Sequence, residues 1–160
     1  MNRVSKGISV LLLAVLFTAA CKANVSRNAD GSFNVETSIS QEELQQAVSA
    51  SLADPLIRNV TVSLQSGYVL VSGDRERLND KTKTDALSFR LDLGASNGQL
   101  TSSISNAQID GIAVEQNRVD LWNETIANRL SAIGKKNENS SVQSVSITPD
   151  AVKITWTVKK

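Results

Sequence analysis

Six short stretches in which apolar and polar residues alternate, paired around turn-forming dipeptides, commit much of this 160-residue chain to antiparallel strands. In the first pair, Val60, Val62 and Leu64 alternate with Thr61 and Ser63, Ser66-Gly67 supplies a turn, and Tyr68 to Val71 returns before Gly73. In the second, Leu87, Phe89, Leu91 and Leu93 alternate with Ser88, Arg90 and Asp92; Leu100, Ser102 and Ile104 return after Asn97-Gly98, whose residues both accept positive φ. In the third, Val145 and Ile147 lead into Pro149-Asp150, and Val152, Ile154, Trp156 and Val158 come back. Each pair predicts a hairpin with one apolar face, and such a face needs a cover.

The cover is written at a different period. Ser40 and Glu43 stand at capping-box spacing, and Ile39 is placed to staple onto Leu44. A helix therefore starts at about residue 40, carries Leu44, Val48 and Leu52 on one stripe with Ala47 and Ser51 beside it, and stops at Asp54-Pro55. Val119, Trp122, Ile126, Leu130 and Ile133 step by three or four in a second helix, and Gly134 stands where it ends. The expected class is α+β: a curved antiparallel sheet of three hairpins packed on, or wrapped around, two amphipathic helices. Both helices are followed by a hairpin of similar pattern, which raises the possibility of an internal duplication.

Upstream of this domain the sequence reads as an export signal. Arg3 and Lys6 precede an apolar run from Ile8 to Phe17, followed by Thr18, Ala19 and Ala20. Ten apolar residues are too few to span a bilayer core, which needs roughly 20, so residues 1–20 are expected to be a signal peptide that is removed. Cys21, the single cysteine, follows at once; this resembles the lipobox of bacterial lipoproteins, in which the thiol becomes diacylglyceryl-modified before cleavage. Thr18 departs from that pattern, since Leu is usual three residues before the cysteine. The resemblance implies a protein of the cell envelope that meets the membrane through acylated Cys21. Residues 21–38 then read as the lipidated cysteine and a polar tether running into a short strand at Phe33 and Val35, and residues 39–160 as one domain.

Composition narrows the chemistry. The chain holds 17 basic and 16 acidic residues, and the signal takes two of the basic ones. The mature domain is nearly neutral, which supports neither nucleic-acid binding nor attraction to anionic lipid. There is no histidine, and one cysteine makes no disulfide framework, so the commonest general bases and zinc sites are missing. Glu42, Glu43, Asp74, Glu76, Asp80, Asp85, Asp92, Asp110, Glu115, Asp120 and Glu124 fall mostly on loops or solvent faces and form no bracketed acid pair. The mixed-sign run Asp74 to Thr84 reads as a solvated connection. No metal or cofactor is expected, nor an enzyme.

The order of signal, cysteine, capped helix, hairpins, second helix and closing hairpin resembles small bacterial lipoproteins of the tubular lipid-binding (TULIP-like) kind, including LmeA-like phospholipid-binding proteins. That resemblance implies a sheet wrapped on a helix around a lipid, with a lining of Leu44, Val48, Leu52, Phe89, Leu91, Ile104, Trp122, Ile126 and Leu130. The run Leu56, Ile57, Asn59, Val60, Val62, followed by Ser66 to Gly73, is similar to the BON domain of envelope proteins, which attaches to phospholipid surfaces; the Asn97-Gly98 hairpin departs from that unit. Two expectations stand side by side. In the first the domain binds phospholipid or another apolar ligand inside; in the second its core is solid and it works as a protein-interaction or phospholipid-surface module. Periodicity does not separate them, because a groove and a core use the same side chains.

Overall fold

The computed structural model describes residues 24–134 and 139–159. The elements run β1 (Asn24–Arg27), β2 (Phe33–Ile39), α1 (Gln41–Ser51), β3 (Ile57–Leu64), β4 (Val69–Glu76), β5 (Thr84–Ser96), β6 (Gln99–Ile109), β7 (Ile112–Ala113), α2 (Gln116–Gly134), β8 (Ser140–Ile147) and β9 (Val152–Val158). The class is α+β, with antiparallel strands predominating and two helices.

Local sequence explains most of these boundaries. Ser40 Oγ accepts from the Glu43 N–H at 3.2 Å, and Glu43 Oε2 accepts from the Ser40 N–H at 2.8 Å, so both halves of the capping box are made. Leu44, Ala47, Val48 and Ser51 form the buried stripe of α1, and Ala53 leaves the helix with a φ of 48°. Asn97 and Gly98 both take positive φ, 51° and 75°, as a two-residue hairpin turn requires.

The strands part into two sheets instead of one. One has the order β3-β4-β5-β6-β7; the other has the order β1-β2-β9-β8. The hairpin of β8 and β9 is thus separated from the other two and joined to a strand pair at the N-terminal side of the domain. Residues 24–38, read from sequence as a polar tether running into a short strand at Phe33 and Val35, are strand over more of their length: β1 matches β2 from Asn24↔Glu36 to Arg27↔Phe33, and β2 matches β9 from Phe33↔Val158 to Ile39↔Val152. The alternation that begins at Phe33 and Val35 continues through Thr37, a polar residue on the buried face at 4% exposure, to Ile39. Part of the run 74–84 is likewise strand, since Asp74, Arg75 and Glu76 pair with Ala86, Asp85 and Thr84.

Two strands of the five-stranded sheet meet a helix, β3 at one edge and β6 next to the other. α1 packs beside β3, where Gln45 Oε1 accepts from the Val62 N–H at 3.4 Å; α2 packs on β6, where the Ser102 hydroxyl donates to the Asn123 carbonyl at 2.6 Å. The helices also touch each other, and the Trp122 indole donates to the Leu52 carbonyl at the end of α1 at 2.8 Å. The ring of Trp122 stacks on Phe89, with centroids 5.9 Å apart. One continuous apolar cluster runs from these groups to Ile39, Val142, Ile147, Val152, Ile154 and Trp156 on the inner face of the four-stranded sheet.

The two sheets meet end to edge. The turn of β5 and β6 offers the Gly98 carbonyl to the Val142 N–H at 2.8 Å, and the turn of β3 and β4 sends the Gly67 N–H to the Ile147 carbonyl at 3.0 Å. Both turn tips therefore close on the outer edge of β8. At Gly98 the approach is tight: a Cβ there would lie 3.1 Å from Ser141 Cβ, whereas one at Gly31, with a similar φ of 85°, would meet nothing within 4 Å. Gly31→Ala should lose about 1 kcal/mol through backbone strain alone. Gly98→Ala should lose about 1 kcal/mol more, because it also pushes the turn off β8. Urea unfolding of the two variants reads that difference, and equal losses would mean that the Gly98 contact contributes nothing.

Candidate functional site

The nine residues predicted to line a lipid groove are brought together, but as a filled core. Leu44, Val48 and Leu52 come from α1 and its cap, Phe89 and Leu91 from β5, Ile104 from β6, and Trp122, Ile126 and Leu130 from α2. All are at most 9% exposed, and Leu44, Val48, Leu91, Ile126 and Leu130 expose nothing. A void large enough for water beside those five would appear as accessible surface on them, and a guest acyl chain needs far more room. All nine belong to one buried apolar cluster, surrounded by the protein's own side chains. Residues 1–20 and Cys21 lie outside the described residues, and with them the expected signal and lipidation site. Among the described residues no helix is long and apolar enough to cross a membrane.

With the interior closed, chemistry is left to the surface. The outer face of the five-stranded sheet holds an open concavity of about 570 Å³, lined by Thr61, Ser63, Tyr68, Leu70, Ser72, Ser88, Arg90 and Asn106. Strand alternation puts these side chains opposite Val62, Val71 and Phe89, which face the core. Arg90 stacks over the Tyr68 ring at 4.2 Å and forks onto Asp92, with Nε to Oδ2 at 2.8 Å and a terminal nitrogen to Oδ1 at 2.6 Å. That fork holds the Asp92 carboxyl below its ordinary range. Leu70, 46% exposed, stands in the same hollow. The patch combines an aromatic ring, a fixed guanidinium, an exposed leucine and a row of hydroxyls.

At the far end of the same sheet, three arginines converge on carboxylates from separate parts of the chain. Arg75 meets Asp54 at 3.0 Å and Arg118 reaches the same carboxylate at 3.5 Å, while Arg77 meets Asp85 at 2.6 Å and Asp110 at 3.7 Å. Sequence gave no sign of this, since Asp54 lies 21 residues from Arg75 and 64 from Arg118. Each arginine has a carboxylate partner, and among the described residues no group of three acidic or cysteine side chains could hold a metal ion. This end therefore ties the segment after α1, β4 and α2 together through paired charges, with Glu115 on the wall of the same hollow.

Burial works to raise the Asp54 carboxyl, but the Leu56 N–H, the bond to Arg75 and the charges of Arg75 and Arg118 outweigh it and hold the group below 3.8. A carboxyl lowered in the folded state contributes stability above its unfolded pKa and loses it as pH falls through the folded one. Asp54→Asn should accordingly cost about 1–2 kcal/mol at pH 7. The gap to the unsubstituted protein should narrow below about pH 4. A gap unchanged down to pH 2 in denaturant titrations would remove the charge from the explanation. Searches of known protein families, of curated proteins and of solved structures return no match to this chain.

Proposed function

We propose that this chain is a non-catalytic lipoprotein of the bacterial cell envelope, held to a membrane by acylated Cys21, that acts through its outer surface as an interaction module with a solid core. Complete burial of Leu44, Val48, Leu91, Ile126 and Leu130, where a lipid tube would need its lumen, carries this reading. In it the five-stranded sheet curves about α1 and α2, with β3 meeting α1 and β6 meeting α2, and closes on its own side chains.

The anchor also sets the module's orientation. Strand β1 starts at Asn24, so three residue steps, at most about 10 Å of chain, separate Cys21 from the sheet. A diacylglyceryl group on Cys21 would then hold the β1 edge close to the bilayer, with Val25 64% exposed on that edge. The hollow around Tyr68, Leu70 and Arg90 lies on the other sheet and is our candidate contact surface for an envelope partner.

Lipid extraction and native mass spectrometry of the purified chain should find the acyl groups on Cys21 and no further lipid held without a covalent bond. A phospholipid that co-purifies in stoichiometric amount and raises the melting temperature would overturn the solid-core reading. Cys21→Ala should leave the protein without acyl groups and free of membranes on fractionation; persistence in the membrane fraction would remove Cys21 as the anchor. Ile126→Asp should unfold the domain, because a charge would replace a side chain with no exposed surface. Leu70→Asp should change stability by less than about 0.5 kcal/mol, since that leucine packs into nothing the fold needs.

A further inference from the structure

The inner face of the four-stranded sheet is wider than its cover. Val25, Val35, Trp156 and Val142 stand in one cross-strand row, each paired with the next, so their side chains share the face that packs on the core. Along that row burial is lost toward β1: Val142 and Trp156 are 5% and 2% exposed, Val35 is partly exposed, and Val25 is 64% exposed. The neighbouring row is also open, since Phe33 pairs with Arg27 on one side and Val158 on the other, and both apolar side chains are partly exposed. Val25, Phe33, Val35 and Val158 stand outside the core cluster and outside the apolar side chains packed against it. The core face of the sheet thus runs on through β2 and β1 as an uncovered strip.

The two faces of the sheet differ sharply at this edge. Asn24, Ser26, Asn34, Glu36 and Thr155 line a hollow on the opposite face, where Lys153 meets Glu36 at 3.3 Å. On the strip itself the charged side chain is Arg27, whose guanidinium lies 5.8 Å from the centre of the Phe33 ring. Aliphatic side chains beside an aromatic ring, with a long cationic side chain over it, suit the boundary between lipid headgroups and acyl chains: the apolar parts leave water while the guanidinium keeps to the phosphates. Asp30, in the turn between β1 and β2, is occupied locally, its carboxylate accepting from the Ser32 N–H and hydroxyl at 3.0 and 2.6 Å.

We propose that this strip is a second membrane contact: Val25, Phe33, Val35 and Arg27 sit at the headgroup level of the bilayer that holds acylated Cys21. The proposal rests on the reading of Cys21 as the anchor and deepens it, from a lipid that places the domain to a protein surface that touches lipid. The chain between the two selects a bilayer as the occupant. Val25 follows Cys21 by four positions, at most about 14 Å of chain, so the anchor already brings the strip to the membrane. A weak apolar contact then acts at the high effective concentration of an intramolecular one. A second copy has no such help, because stable protein interfaces use roughly 20–30 residues a side and a four-residue edge strand with its neighbour offers far fewer. β1 ends its sheet, and the backbone groups along its outer edge keep the strip among hydrated headgroups and out of the hydrocarbon.

The experiment places a spin label on the acylated chain, purified from membranes and reconstituted in vesicles of phosphatidylethanolamine and phosphatidylglycerol. Acylation occupies the Cys21 thiol, so Val25→Cys supplies the reactive one; Leu70→Cys, 46% exposed on the other sheet, carries the same label as a control. On vesicles the label at position 25 should become at least threefold less accessible to a water-soluble nickel chelate, and more accessible to oxygen, than in an unacylated Cys21→Ala background in solution. The label at position 70 should not change. Flotation with the vesicles reads the anchor separately: a chain that does not float overturns the anchor and this contact with it. A chain that floats with position 25 as open to the chelate as position 70 overturns the contact alone. Protection at position 25 that vanishes when copies are diluted in lipid would put a second copy on the strip and overturn the bilayer as its occupant. Hydrogen exchange of the unlabelled chain gives a reading free of the label's own apolarity. Amides of residues 24–27 and 33–35 should exchange at least fivefold more slowly on vesicles than in Cys21→Ala in solution, and Val25→Asp should float as before yet lose that slowing. Slowing that persists in Val25→Asp would overturn the proposal, since the anchor alone would then account for it.

Discussion

The structure depends on how β8 hides its outer edge. An edge strand presents unpaired N–H and C=O groups that invite pairing with another chain. Here the groups at the two ends of β8 are met by the turns of the other sheet, Gly98 at Val142 and Gly67 at Ile147. Those two bonds set the five-stranded sheet end-on against the four-stranded one. They also fix where the inner faces meet, so Val142, Ile147 and Trp156 join the cluster that contains Phe89 and Trp122. A turn that departed from β8 would open a strand edge. That is the physical reason for a glycine at position 98, where positive φ and the nearness of Ser141 leave no place for a side chain.

Most of the element pattern was legible because local rules agree with the tertiary structure at those points. Ser40 and Glu43 make the capping box their spacing announces, Asn97-Gly98 makes its turn, and the stripes Leu44, Val48, Leu52 and Val119, Trp122, Ile126, Leu130 are buried, while Ile133 at the end of the second is 37% exposed. The reading failed where the needed information is not local. The short strand at Phe33 and Val35 was legible, but neither its extension through Thr37 to Ile39 nor its pairing with β9 was, and with that pairing goes the split into two sheets. Nothing in periodicity says that the hairpin of β8 and β9 pairs with residues more than a hundred positions earlier. The likeness between the two helix-plus-hairpin units does extend to topology, since β3 and β8, the strands that follow the helices, each lie at one end of a sheet.

The site was less legible than the fold, for a related reason. A groove lining and a core are written in the same alphabet of Leu, Ile, Val and Trp at regular spacing, and only the closeness of packing tells them apart. The chain has few aromatic side chains and many aliphatic ones, which fill space without leaving shaped gaps. The arginine–carboxylate cluster shows the opposite difficulty. Its members come from a loop, two strands, a turn and a helix, and no spacing in the sequence joins Asp54, Arg75, Asp85, Asp110 and Arg118.

If Cys21 carries the proposed acyl anchor, its short reach gives these surfaces different neighbourhoods. The four-stranded sheet has β1 at one edge and β8 at the other, separated by three strand spacings, or about 14 Å. An acylated cysteine within about 10 Å of Asn24 would draw the β1 edge toward the headgroups. β8 would then be on the side away from them. A long tether would erase this distinction by letting the domain tumble; with β1 paired to β2, an anchored copy would lack that slack and its orientation would follow from the fold. On this argument lengthening the chain between Cys21 and Asn24 should leave stability unchanged and alter only which faces a membrane-bound copy presents, because the inserted residues would precede every hydrogen bond described here.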